Sequence, residues 1–145
     1  HQLLENDYAS EWMGLEVLRL DDGHATIRMT LRKEMLNGFG MAHGGMIFAF
    51  GDTAFALACN PISPAPGEEN TITVASGVDS NFLKPAFRGQ VLTAVADRRS
   101  SAGRSGLYDI QIFAADAAPG TESGTGTPGE LIAEFRGRSR TIPKK

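Results

Sequence analysis

With 145 residues the chain fits a single domain, residues 1–145, with room for a substantial core but not for two. Hydrophobic residues make up 41% and charged residues 21%, and a net charge of −3 argues against a nucleic-acid footprint. One cysteine, Cys59, excludes an internal disulfide, and no apolar stretch approaches the ~20 residues of a membrane span, so a soluble, cytoplasmic protein not processed for export is expected.

Taken in chain order, Leu3, Leu4, Tyr8, Trp12 and Met13 fall at helical spacing and predict a short amphipathic helix over Leu3–Met13. Leu15–Leu20 and His24–Leu31 read as two strands joined by the turn Asp21-Asp22-Gly23. A loop over Arg32–Gly40 leads to Ala42-His43-Gly44-Gly45 and then to an apolar run, Met46–Cys59, of helical length. Asn60-Pro61 should end that helix, because asparagine tolerates a left-handed cap and proline cannot continue the ladder. Beyond the loop Pro61–Asn70, the segments Thr71–Leu83, Gly89–Ser100, Ser105–Ala115 and Leu131–Ile142 read as consecutive antiparallel strands. Ser100–Arg104 is a tight turn, and Ala117–Gly129 is a low-complexity stretch read as a mobile hairpin tip.

Asp52 is the lone acid in the Met46–Cys59 run. A helix apolar around most of its circumference is normally buried, and burying an unpartnered polar group costs on the order of 2–7 kcal/mol, so the carboxylate needs a reason. Gly44 and Gly45 open the same helix, where backbone N–H groups lack internal acceptors and can polarise a carbonyl that glycine lets come close. An electrophilic turn plus a carboxylate base or nucleophile suits acyl transfer. Gly45 and Asp52 are seven residues apart, roughly 10 Å along one helix, whereas a reacting carbonyl must lie about 3 Å from both groups. Two antiparallel helices related by a two-fold axis meet that demand, which predicts a dimer with two composite sites.

The segment Asn37-Gly38-Phe39-Gly40-Met41-Ala42-His43-Gly44-Gly45-Met46-Ile47-Phe48-Ala49-Phe50-Gly51-Asp52-Thr53-Ala54-Phe55-Ala56 resembles the signature of hotdog-fold acyl-CoA thioesterases of the phenylacetate-degradation (PaaI) type. Asn81-Phe82-Leu83-Lys84-Pro85-Ala86 and Gly106-Leu107-Tyr108-Asp109-Ile110 are similar to later blocks of that family. The resemblance implies an α+β hotdog fold, an antiparallel sheet around one long helix. It also implies hydrolysis of aryl or phenylacetyl-type thioesters to free acid and coenzyme A, and a homotetramer of two dimers. It assigns Asp52 as nucleophile or general base, the N–H near Gly44 or Gly45 to the thioester oxygen, and Asn37 to the attacking water or carboxylate.

Each further candidate has a plainer reading. His43 is as readily a turn-shaping residue as a catalytic one, and Asn37-Gly38 an ordinary turn. Phe39 and Phe48 lie near the glycine turn as candidates for aryl selectivity, with Phe82 and Ser76 as further substrate contacts, although large apolar residues are mostly core. Lys84, Arg98 and Arg104, chosen from a set that includes Arg88 and Arg99, are candidates for the coenzyme A phosphates, against the alternative of solvated surface charge. His1, His24 and His43 lack ligand spacing, and phosphate-loop, dinucleotide and Gly-x-Ser-x-Gly patterns are absent, so no metal or redox cofactor is expected. Two rival functions remain, a non-catalytic acyl-CoA-binding module and a hotdog hydratase or dehydratase.

Overall fold

The computed structural model describes residues 1–117 and 129–145. A 3-10 turn at Gln2–Leu4 and helix α1 (Tyr8–Met13) precede strands β1 (Glu16–Asp21) and β2 (His24–Thr30). The 3-10 turn Lys33–Met35 and the long helix α2 (Gly44–Cys59) follow. Strands β3 (Thr71–Phe82), β4 (Val91–Ala102), β5 (Ser105–Ala115) and β6 (Glu130–Pro143) complete the chain. The low-complexity segment read as a mobile tip falls, for residues 118–128, outside the described residues.

All six strands form one antiparallel sheet in the order β1-β2-β4-β5-β6-β3. The strands after α2 are therefore not consecutive neighbours as expected, because β3 lands beyond β6 at the sheet edge while β2 pairs with β4. Alternation in a sequence sets which face a residue takes, not which strand lies alongside. Helix α2 touches every strand. Six strands at about 4.8 Å spacing span roughly twice the width of a helix, so the sheet must curl around α2 for this to hold.

The core between them holds Phe50, Phe55, Ile27, Met29, Leu92, Ile110, Ile112 and Phe135, all 2% exposed or less. Each fully buried side chain of this size stabilises the fold by about 1.5–3 kcal/mol before entropy is counted. Strands β2, β4 and β5 alternate buried and half-buried residues, as a sheet with one covered face requires. The β4–β5 hairpin is tighter than the expected Ser100–Arg104 turn. The strands run to Ala102 and Ser105, and only Gly103-Arg104 connect them, with Gly103 at φ +59° as a type II′ turn demands.

Two local expectations change. The segment expected as one helix over Leu3–Met13 breaks, because Asp7 caps a new helix by accepting the Ser10 N–H at 3.0 Å and the Ser10 hydroxyl at 2.6 Å. Its exposed Trp12 ring carries the Arg32 guanidinium 4.5 Å from its centroid. Helix α2 stops at Cys59 as expected, but Asn60 is extended (φ −118°, ψ 115°), not left-handed. Its side-chain NH2 donates to the carbonyls of Ala56 (2.9 Å) and Thr73 (2.8 Å), and its oxygen accepts the Thr73 N–H (2.9 Å), tying the helix end to β3.

Candidate active site at the start of the central helix

Helix α2 begins at Gly44 because His43 is extended at the N-cap and its Nδ1 accepts the Gly45 N–H at 2.9 Å. The His43 carbonyl accepts the N–H of Met46 at 2.9 Å and of Ile47 at 3.1 Å. One donor of the first turn is left over: among the described residues, the Gly44 N–H has no acceptor. The approach to this turn is pinned by Ala42 N–H to the Ala86 carbonyl and His43 N–H to the Met35 carbonyl, both 2.8 Å.

Asn37 shapes the same loop. Its side-chain oxygen accepts the N–H of Phe39 at 2.9 Å and of Met41 at 3.1 Å, which is the ordinary Asx-turn role. Its NH2 group has no acceptor among the described residues and remains able to donate. Phe39 stands at the crest of the loop, 87% exposed.

Beside Gly44 lies an apolar cavity of about 340 Å³, walled by Met41, Ala42, Ile47, Phe82, Leu83 and Pro85, with Lys84 at its edge. A β-carbon on Gly44 would sit 3.6 Å from the Phe82 ring, so that ring borders the free donor. The Lys84 ammonium is paired with Glu130 across exposed surface.

Asp52 is not buried in a single chain, contrary to the expectation from the apolar run. The sheet covers only one side of α2, burying Ile47, Phe50, Gly51, Ala54, Phe55, Leu57 and Ala58 and leaving Gly45, Phe48 and Asp52 on an open face. Nearby protein still desolvates the Asp52 carboxylate enough to hold its pKa above the ordinary 3.8, and no hydrogen bond or ion pair engages it among the described residues. Eight residues separate it from Gly44, roughly 12 Å along the axis, so the two do not meet within one chain.

The remaining candidates cluster away from Gly44. Arg98 and Arg104 line a polar cavity of about 440 Å³ at the C-terminal end of α2, together with Cys59, Thr73, Tyr108 and Ser139. Arg98 is held there by a bidentate pair with Asp22, at 2.9 and 3.2 Å, whereas Arg104 has no acidic partner among the described residues. Burial pushes the Cys59 thiol up to about 12, so it is an inert part of this wall. Ser76 is the bulged residue of β3, its hydroxyl donating to the Arg138 carbonyl at 3.1 Å. It borders a cleft shared with Ser100, Ser105 and Arg138, six residues, or roughly 20 Å, along the strand from Phe82. His24 is bound to Asp97 at 2.6 Å and to Thr26 at 2.7 Å on β2 and β4, and no group of three or more metal-ligating side chains forms among the described residues.

Sequence reasoning did not single out Phe135, a buried ring of β6 in contact with both Phe48 and Phe82 (centroids 5.7 and 6.0 Å). The available signal was Gly51, a glycine inside a helix, which costs about 1 kcal/mol relative to alanine and so marks a close approach. A β-carbon there would lie 2.4 Å from the Phe135 ring.

Comparison with known proteins agrees with this architecture. The family model described as "Thioesterase superfamily" matches residues 39–120, which span the glycine turn, α2 and β3 to β5. The acyl-coenzyme A thioesterase PaaI of Escherichia coli (strain K12) is 35% identical over 142 residues, covering 98% of this chain and 88% of that protein. The solved structure of the E. coli PaaI protein from the phenylacetic acid degradation operon superposes with a TM-score of 0.81 at 34% identity, covering 100% of this chain and 91% of that one. A mutant of the phenylacetic acid degradation protein PaaI from Thermus thermophilus gives a TM-score of 0.75 at 28% identity, covering 92% and 98%. A six-stranded antiparallel sheet curled around one long helix is the architecture of a hotdog fold, and this chain belongs to the thioesterase superfamily.

Proposed function

We propose that this protein hydrolyses acyl-CoA thioesters, with an aryl or phenylacetyl-type acyl group, to the free acid and coenzyme A. One observation carries the reading: the Gly44 N–H is, among the described residues, the single first-turn donor without an acceptor, and it opens beside an apolar cavity of about 340 Å³. A thioester oxygen resting on that N–H gains a donor already oriented, strengthened by the helix dipole, as negative charge develops on it.

The attacking group is Asp52 of a second copy, since the donor and carboxylate of one chain lie too far apart. Either the ionised carboxylate adds to the carbonyl, or it takes a proton from a water that adds; the thiolate of coenzyme A then leaves with the electrons of the C–S bond and is protonated. In the second case the proton is the one Asp52 took; in the first, water cleaves the resulting acyl-Asp52 anhydride to free acid and carboxylate. Desolvation, which raises the Asp52 pKa, makes the carboxylate a stronger base once ionised. Asn37 has its NH2 free to steer the water, and His43 holds the turn in place through Gly45.

Two supports favour a second copy as the missing half. Among the described residues strand β3 pairs only with β6, leaving one side of a 12-residue strand unpaired, and the open face of α2 exposes Phe48 beside Asp52. The proposed dimer joins these edges, and a homotetramer forms from two such dimers. The apolar cavity takes the acyl group, while the polar cavity two turns beyond Asp52 takes the coenzyme A arm, with Arg104 and, on release from Asp22, Arg98 facing its phosphates.

The test is thiol release from phenylacetyl-CoA, hydroxybenzoyl-CoA and a medium-chain acyl-CoA by the native chain, by Gly44→Val and by Asp52→Ala. Each variant alone should be inactive, and co-refolding the two should restore about a quarter of native activity, because a mixed dimer keeps one intact composite site. Absence of release from all three thioesters refutes the function; failure of the mixture to recover refutes the composite site. Binding without thiol release would instead favour an acyl-CoA-binding module, and an altered acyl chain a hydratase.

A further inference from the structure

Phe135 is 2% exposed and fixed from below, since its ring occupies the space that a side chain at Gly51 would need: a β-carbon there would be 2.4 Å from Cε2 and 2.7 Å from Cδ2. Two partly exposed rings rest on it. Phe82, 54% exposed, meets it edge-on at 6.0 Å with planes at 77°, and Phe48, 38% exposed, meets it at 5.7 Å and 38°. Both lie near the reacting end of the site. Phe82 borders the Gly44 N–H and its cavity, and Phe48 is one turn beyond Gly44 and one turn short of Asp52 on the open helix face.

Exposed aromatic rings are normally free to change rotamer, so a ring that must present a constant face needs a support. A buried aromatic held against a helix glycine is such a support, because neither the helix nor the sheet can give way around it. From this arrangement we infer that Phe135 is a positioning residue for acyl-group selectivity: through Gly51 it holds Phe82, and with it Phe48, as an aromatic wall that favours a flat aryl acyl group over a flexible alkyl one. The inference rests on the thioesterase reading above and adds to it the residue that makes the aryl preference. Aromatic pairs prefer offset and edge-on contacts, and a planar acyl group loses fewer rotors on docking than an alkyl chain, so the wall discriminates by both geometry and ordering.

The experiment measures kcat/KM for thiol release from phenylacetyl-CoA and from hexanoyl-CoA, and takes their ratio, in the native chain, Phe82→Leu, Phe135→Leu and the double variant. Melting curves confirm that each is folded, and Phe135→Met, which fills more of the space without a ring face, replaces Phe135→Leu if the latter does not accumulate. Phe135→Leu should lower the ratio on the order of 3- to 10-fold, mainly through KM for the aryl thioester. The double variant should lose less than the product of the two single losses, because Phe135 acts through Phe82 as well as through Phe48. A ratio within twofold of native in the folded Phe135 variant overturns the inference, as does a double variant whose loss is the product of the two singles. Absence of thiol release from both thioesters by the native chain overturns the thioesterase reading, and this inference with it, whereas release with an unchanged ratio overturns this inference alone.

Discussion

Replacing Gly44 by alanine separates stability from catalysis. Among the described residues the atoms nearest the new β-carbon are those of the Phe82 ring, at 3.6 to 4.0 Å, which is ordinary contact, and Gly44 is not in the left-handed region, so the fold accepts the methyl. Reduced freedom of the unfolded chain should then raise stability by about 0.4–1 kcal/mol, a gain of roughly 1–4 °C in Tm at fixed protein concentration. The same methyl takes up space between Gly44 and the Phe82 ring, where the proposed thioester oxygen approaches the N–H, so kcat should fall on the order of 10²–10³-fold. Gly45→Ala is the control. Its β-carbon would sit 3.1 Å from His43 Nδ1 and 3.3 Å from Cε1, so the cap must shift, with a loss of about 0.5–2 kcal/mol of stability. Thermal melts and thiol release on both variants decide the matter. Gly44→Ala that melts higher and keeps native kcat refutes the donor assignment, and Gly44→Ala that melts lower refutes the steric reasoning.

Asp52→Asn should cut kcat on the order of 10²–10⁴-fold, read by thiol release with the fold checked by circular dichroism. Because desolvation raises the Asp52 pKa above 3.8 and the proposed mechanism uses the ionised form, native activity should rise with pH through that raised value, while residual activity of the variant stays flat. Stability runs the other way: what the raised pKa contributes is present below pH 3.8 and lost as pH rises through the folded value, so at neutral pH Asp52→Asn should melt no lower than the native chain. Burial pushes Cys59 from 9.0 to about 12, so iodoacetamide at pH 8 should modify the folded chain on the order of 10²-fold more slowly than the urea-unfolded chain, followed by mass.

How much of this was legible in the sequence differs by element. Helix α2 was, from a glycine turn to Asn60-Pro61, because an apolar run bounded by a cap and a breaker is a local signal. The break before Tyr8 was not, because it hangs on Asp7 accepting two hydrogen bonds from Ser10, and residue spacing alone passes over it. The place of β3 beside β6 escaped for a different reason, since strand neighbours are set by the three-dimensional path of the chain. In the site, the glycines and Asp52 stood out, yet which glycine keeps a free N–H depends on where one imidazole nitrogen points. Lys84 and Arg98 read as cations for phosphate, and only the structure shows both already paired, with Glu130 and Asp22.

The open face of α2 links stability to chemistry. Folding a helix this apolar with Phe48 38% exposed, and ending β3 at Phe82 with Leu83 just beyond it, 54% and 50% exposed, leaves one chain with apolar surface and a strand edge that water serves poorly. A carboxylate on that face costs little while water reaches it and more once it is covered, so the proposed dimer stabilises the apolar neighbours of Asp52 at the expense of its ionised form. That opposition suits a base near an apolar acyl pocket, and in the proposed dimer one two-fold operation would supply both the cover and the missing donor. Activity should therefore follow assembly. On serial dilution, specific activity should fall in step with the loss of dimer seen by light scattering, and recover on reconcentration. A monomer that hydrolyses thioesters at the full rate per chain would show that donor and carboxylate act within one subunit, and would refute the composite site.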